Sequence, residues 1–178
     1  MTVSLRPFEP RDLPELERWL QADQEWQRWD APYFPKPSAD EVHDYIERMT
    51  LRLAEQHSRP QEFAIVADGD LLGRVAWHWE HEPSLWARSG ITVYDPAARG
   101  RGLGEQALRL LTDDVFHDSA AVRLDLVTWS GNLAMCRVAE KPGWTLEARL
   151  RQAREVRGIR YDSVIYGVLR EEWMAPGT

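Results

Sequence analysis

"DPAARGRGLGEQALRLL", Asp95 to Leu111, sets Pro96, Gly100, Gly102 and Gly104 ahead of a run with clean helical spacing. A glycine-rich turn opening a helix is a ready anion site, because the first helical turn leaves its backbone N–H groups unpaired and pointing outward. Glycines let a ligand approach the chain closely. Downstream, Ala107, Leu108, Leu111 and Val115 form the apolar stripe that docks the helix and holds the turn from behind. Two arginines, Arg99 and Arg101, favour an anionic partner over a bare tight turn. No Gly-Lys-Ser/Thr follows, so the stretch is not a Walker loop, and glycines spaced by two do not complete Gly-x-Gly-x-x-Gly.

Working outward, "WARSGITVY" (Trp86 to Tyr94) predicts the strand that enters this turn. "EFAIVADGDLLGRVAWHWEHE" predicts two strands across an Asp-Gly turn at Asp68 and Gly69. Val3 to Pro7 and Val122 to Trp129 are further strands, and "TLEARLRQAREVRGIRYDSVIYGVL" predicts two long ones joined near Arg157 and Gly158. Leu13, Leu16, Trp19 and Leu20 share one stripe of a helix with Asp12 as candidate cap, and Val42, Tyr45, Ile46, Met49 and Leu53 mark a second running to Gln56. Between them, Trp26 to Ser38 holds three prolines and is a loop. The expected fold is α/β (α+β): one domain over residues 1–178, with a central, mostly antiparallel twisted sheet flanked by helices.

The chain has 178 residues, 43% of them hydrophobic, which suits one core of good size. Its formal charge of −7 argues against a broad nucleic-acid footprint and toward a cationic partner. A single cysteine, Cys136, excludes a disulfide framework and a cysteine-based zinc site within the chain. No run of eighteen apolar residues exists, so no membrane partner is expected, and "MTVSLRPFEPRD" has the pattern of neither a secretory signal nor an anchor. A cytoplasmic location is the expectation.

"RGRGLG" (Arg99 to Gly104) matches the Arg/Gln-x-x-Gly-x-Gly/Ala signature of the Gcn5-related N-acetyltransferases, the GNAT family. "NLAMCRVAEKPGW" (Asn132 to Trp144), "RGIRYDSVIYGVLREEW" (Arg157 to Trp173) and "LRPFEPRDLPELERWL" at the start resemble segments of the branch that includes the ribosomal-protein N-terminal acetyltransferases. The resemblance covers nearly all of the chain in the family's order. It implies a coenzyme cleft in which Arg99, Gly100, Arg101, Gly102, Leu103 and Gly104 hold the pyrophosphate of acetyl-CoA, a cosubstrate used without a metal. It further implies that Asn132 contacts the pantetheine arm and that the backbone N–H groups of Thr92, Val93 and Tyr94 polarise the thioester. Physically Asn132 is equally a helix cap, and Lys141 suits the end of the same helix.

The implied activity is transfer of an acetyl group to a primary amine, such as a protein N-terminus, a polyamine, an aminoglycoside or another small amine, by direct attack. A catalytically silent acyl-CoA-binding or sensing module is the alternative, and a homodimer is left open. An alkylammonium, with a pKa near ~10.4, must lose a proton before it attacks. Many relatives carry a glutamate near the start of the Trp86 to Tyr94 strand, where this chain has Arg88 and Ser89. Glu80 is the first candidate base, with His78, Glu82 and Asp30 as alternatives. The family's usual acids are replaced by Glu140 and Met135, which leaves Tyr33, Tyr161 or a water. Cys136 reads as a small buried hydrophobe, against a ping-pong route. Trp19 and Trp144 read as core, whereas Trp26, Trp29, Tyr33, Phe34, Trp77 and Trp79 are open to either core packing or an acceptor wall for a cationic amine.

Overall fold

The computed structural model describes residues 2–55 and 60–175. Among these residues seven strands form one sheet: β1 (Ser4–Pro7), β2 (Glu62–Ala67), β3 (Asp70–His81), β4 (Trp86–Val93), β5 (Arg123–Trp129), β6 (Thr145–Val156) and β7 (Ile159–Leu169). Their spatial order is β1-β2-β3-β4-β5-β7-β6. Neighbours are antiparallel except β4 and β5, the central pair, which run parallel. The β2–β3 and β6–β7 hairpins turn where the sequence offers residues that accept positive φ: Asp68 at 54° with Gly69 at 94°, and Arg157 at 52° with Gly158 at 76°. Two consecutive positive φ values match the right-handed twist of the flanking strands.

Among the described residues five α-helices cover the sheet: α1 (Leu13–Leu20), α2 (Ala39–Glu55), α3 (Leu103–Asp118), α4 (Leu133–Glu140) and α5 (Arg170–Met174). Gln56, the expected end of the second helix, lies outside the described residues. On one face Leu108, Leu111, Val115 and Phe116 of α3 pack on Ile65, Val75, Trp77, Ala87, Leu124 and Leu126. Across the sheet, Leu16, Leu20, Val42 and Met49 of α1 and α2 meet Ala64, Val66 and Tyr94. Each such side chain withdrawn from water is worth about 1.5–3 kcal/mol, so α3 is clamped to the sheet by its buried stripe. Trp144 is buried and Trp19 half-buried, stacking on Tyr94 with ring centroids 6.1 Å apart.

Asp12 does not cap α1 as the sequence suggested. Its backbone is already helical, with φ −83° and ψ −23°, so the side chain cannot fold back over the first turn. Its carboxylate instead accepts from both terminal nitrogens of Arg6, at 2.6 and 2.8 Å, and from the Glu9 N–H at 2.7 Å. Among the described residues no helix is long and apolar enough to cross a membrane.

Candidate active site

The parallel pairing of β4 with β5 covers only Trp86–Arg88 against Arg123–Asp125. Ser89 Oγ donates to the Asp125 carbonyl at 3.1 Å as the last tie between them. Beyond it the strands part around a cavity of about 820 Å³, lined by Ser89 to Val93, by Leu126 to Thr128 and by the turn and helix that follow each strand. The Tyr94 N–H points the other way, donating to Leu72 O at 2.8 Å. Alternation along the antiparallel β3·β4 ladder turns the Thr92 N–H the same way and leaves those of Ile91 and Val93 facing the gap. Of the three amides expected at a thioester, then, Val93 faces the opening, Thr92 and Tyr94 are spent in the sheet, and Ile91 joins Val93.

The quoted turn closes one end of this cavity. Asp95 accepts the Ala97 N–H at 2.8 Å, and Gly100 and Gly102 follow with φ of 72° and 77°. Gly102 is the N-cap of α3 and has no side chain to bond the first turn, so the N–H groups of Leu103, Gly104 and Glu105 remain open toward the cavity these residues line. A Cβ on Gly102 would meet nothing within 4 Å, so this glycine serves its backbone angle and the open space before it. Gly104 is tight for another reason: its Cβ would sit 3.3 Å from Val138 Cγ2 of α4.

The two arginines of the turn are placed differently, Arg99 in the cavity lining and Arg101 outside it. Arg99 is a brace, paired with Glu25 and donating to the carbonyls of Val93 and Tyr94 at 3.3 and 3.4 Å. Arg101 is exposed and outside the cavity lining. The open donors at this end of the cavity are therefore backbone amides, with the Arg99 side chain alongside.

Asn132 lines the cavity and works in two directions. Its Oδ1 caps α4 by accepting the Met135 N–H at 3.1 Å, and its Nδ2 donates to the Trp29 carbonyl at 3.1 Å. Trp129 Nε1 donates to the same carbonyl at 2.9 Å. The Trp129 ring lies against Gly131, where any Cβ would fall 1.8 Å from it. These bonds fasten the loop between α1 and α2 to the far side of the gap. Lys141 ends α4 and pairs with Glu105 at 3.3 Å.

Asp30 follows Trp29 and accepts from Thr92 Oγ1 at 3.0 Å. It lines the first cavity and also a second of about 660 Å³, bounded by the α1–α2 loop, Arg74 and the β6–β7 tip. Water reaches its side chain, yet protein surrounds it on most sides, and this desolvation raises its carboxyl pKa against the opposing pull of the Thr92 bond and Arg74. Glu80 and Tyr33 line neither cavity. Glu80 is paired to Arg88 at 2.9 Å and lies near His78 at 3.8 Å, at the end of β3 away from the turn. Tyr33 sits under the Arg154 guanidinium at 4.6 Å. Trp77 is buried in the core with Trp79 packed edge-on at 5.4 Å, and Tyr161 packs edge-on to Trp129 at 4.8 Å. Trp26 and Trp29 line the first cavity, and Phe34 the second. Cys136 is half-buried on α4, and burial pushes its thiol up. Among the described residues no group of three His, Cys, Asp or Glu side chains could hold a metal.

Residues 2–145 match the family described as the acetyltransferase (GNAT) domain. The chain belongs to the GNAT acetyltransferases. The SPbeta prophage-derived uncharacterized N-acetyltransferase YokL of Bacillus subtilis is 23% identical over 96% of this chain and 92% of its own. The fold is shared with spermidine N-acetyltransferase from Vibrio cholerae, solved with CoA and spermine, at a TM-score of 0.77, 17% identity and coverage of 97% of this chain and 98% of that one. RimL, the ribosomal L7/L12 α-N-protein acetyltransferase solved with coenzyme A, gives 0.74 at 19% identity over 95% and 94%. A GNAT member from the ribosomal-protein branch thus has the same architecture as this chain, as the terminal segments of the sequence suggested.

Proposed function

We propose that this GNAT protein moves the acetyl group of acetyl-CoA onto a primary amine by direct attack within one domain. One observation carries the reading: the uncapped N-terminus of α3 and the parted edges of β4 and β5 face the same 820 Å³ cavity. Open amides at a helix start suit a diphosphate, and an unpaired strand edge suits the amide-bearing arm that follows it. The empty space in front of Gly102 leaves room for the phosphates to touch the backbone.

Bound acetyl-CoA supplies an acetyl thioester. Around it, the N–H groups of Leu103, Gly104 and Glu105 hold the diphosphate, and Arg99 adds positive charge from its brace. Ile91 and Val93 direct their N–H groups at the arm and at the thioester carbonyl, where fixed donors stabilise developing negative charge. Asn132 holds the loop that closes the cavity. The Cys136 side chain is not among the groups that line the cavity, so in this reading it takes no part and the amine attacks directly. The second cavity admits the acceptor, since it meets the first at Trp26 and Asp30.

Calorimetry with coenzyme A, paired with thiol release from acetyl-CoA in the presence of amines, tests this. Saturable binding and amine-dependent thiol release are expected. Binding with no turnover on any amine would make the protein a sensing module instead.

A further inference from the structure

We propose that Asp30 accepts the proton of the attacking ammonium and that Arg28 and Arg157 select an acceptor carrying a carboxylate as well as its amine. This rests on the acetyl-transfer reading above and adds the proton acceptor and the substrate class to it.

Trp26 and Asp30 are shared by the two cavities, and of the pair only Asp30 can take a proton. It is held in place from three sides. Thr92 Oγ1 binds its carboxylate from β4, its N–H donates to Trp26 O at 3.2 Å, and the preceding carbonyl takes the bonds from Trp129 and Asn132. The next residue, Ala31, has φ 44°. A non-glycine residue held in that region is strained and persists where the surroundings over-determine it. The charged and titratable groups that face Asp30 are Arg74 from β3, Tyr94 beyond β4 and Tyr33 from its own loop. Crowding by protein outweighs Arg74 and Thr92 and makes the carboxylate a stronger proton acceptor.

The rest of the second cavity sets the class. Lys36 is paired with Asp23 at 3.2 Å, and Arg74 with Glu62 at 2.8 Å and with the Tyr45 hydroxyl at 3.0 Å. Arg28 lies in the field of Glu25 without pairing, and Arg157 at the β6–β7 tip makes no ion pair or hydrogen bond among the described residues. One carboxylate at the cleft wall and two uncommitted guanidiniums complement an ammonium and a carboxylate on one molecule. A polyamine would meet the guanidiniums as like charges.

The ammonium gives one proton to Asp30, and the free amine nitrogen then forms a bond to the thioester carbon. As the C–S bond breaks, its electron pair leaves on sulfur, which takes the second proton from that nitrogen. Amide and coenzyme A thiol result, and Asp30 returns its proton to water.

The experiment compares alanine, glutamate and γ-aminobutyrate with alaninamide, butylamine and spermidine, using wild type, Asp30→Asn and Arg28→Gln/Arg157→Gln. Wild type should favour an acid-bearing amine over its uncharged partner by at least about tenfold in kcat/KM, about 1.4 kcal/mol. Asp30→Asn should bind coenzyme A normally, lose about 10²–10⁴-fold in kcat at pH 7 and regain activity as pH nears the amine's own pKa. The arginine double variant should raise KM for the acids only. Normal turnover by Asp30→Asn, or a preference for spermidine or the amides, overturns the inference and leaves acetyl transfer standing. Failure of the wild type to bind coenzyme A sinks the underlying reading instead.

Discussion

Asn132 and Trp29, 103 residues apart, are joined by a 3.1 Å hydrogen bond from the Asn132 amide to the Trp29 carbonyl while the same side chain caps α4. The cap and the tether use different atoms, so substitution separates them. Serine keeps a capping oxygen but reaches no further, whereas alanine loses both. Asn132→Ala should cost about 1 kcal/mol in urea unfolding and Asn132→Ser much less. Both should lose activity to a similar degree, because the loop bearing Asp30 is released in each. If Asn132→Ser is fully active, the tether is not needed for catalysis.

Gly102 divides conformation from packing. Valine there faces open space but must hold φ near 77°, which costs about 1–2 kcal/mol for an L residue, and its methyls occupy the space before the α3 amides. Gly102→Val should stay folded by circular dichroism with a lowered Tm and lose coenzyme A binding by calorimetry. An unchanged dissociation constant removes the diphosphate from this turn.

Much of this was legible because local chemistry and fold agree. Asp68-Gly69 and Arg157-Gly158 announce their turns, and the glycines before Leu103 announce an open helix start. What the sequence hid is pairwise. Arg99 reads as an uncommitted cation until Glu25, 74 residues away, is seen beside it, and Glu80 as an uncommitted carboxylate until Arg88 is found across the hairpin. Asp30 sits in a proline-rich loop with no period, so nothing local says which way it points; only the Thr92 bond does. Which β4 amides face the gap likewise needed the register with β3. Gly131 beside Trp129 was one usable signal, since a glycine next to a large aromatic ring can mark a close approach.

Gly131 and Trp129 give the third prediction. A methyl group at residue 131 would overlap the indole, which must then swing away and release its bond to Trp29 O. Gly131→Ala should therefore lower kcat while coenzyme A still binds, and Trp129→Phe, which keeps a ring without the N–H, should lower it as well. An unaffected Trp129→Phe would assign the loop's position to Asn132 alone.

The last prediction concerns stability away from the site, where Asp12 and Arg6 join the start of α1 to β1. Burial pushes the Asp12 carboxyl upward, but the bonds from Arg6 and the Glu9 N–H outweigh it, so its pKa in the folded chain lies below the ordinary value. With the folded pKa below the unfolded one, near ~3.9, the stabilisation is complete above that pH and is lost as pH falls through the folded pKa. Asp12→Asn has nearly the same shape and removes the charge. It should be less stable than wild type by about 1–3 kcal/mol at pH 7, the range for a hydrogen bond to a charged, buried group. Measured by urea unfolding, that deficit should hold from pH 7 to about 5 and shrink steadily below about pH 4. A deficit of equal size at pH 7 and pH 2 would mean that asparagine disturbs packing at the start of α1, and that the charge of Asp12 contributes nothing to the fold.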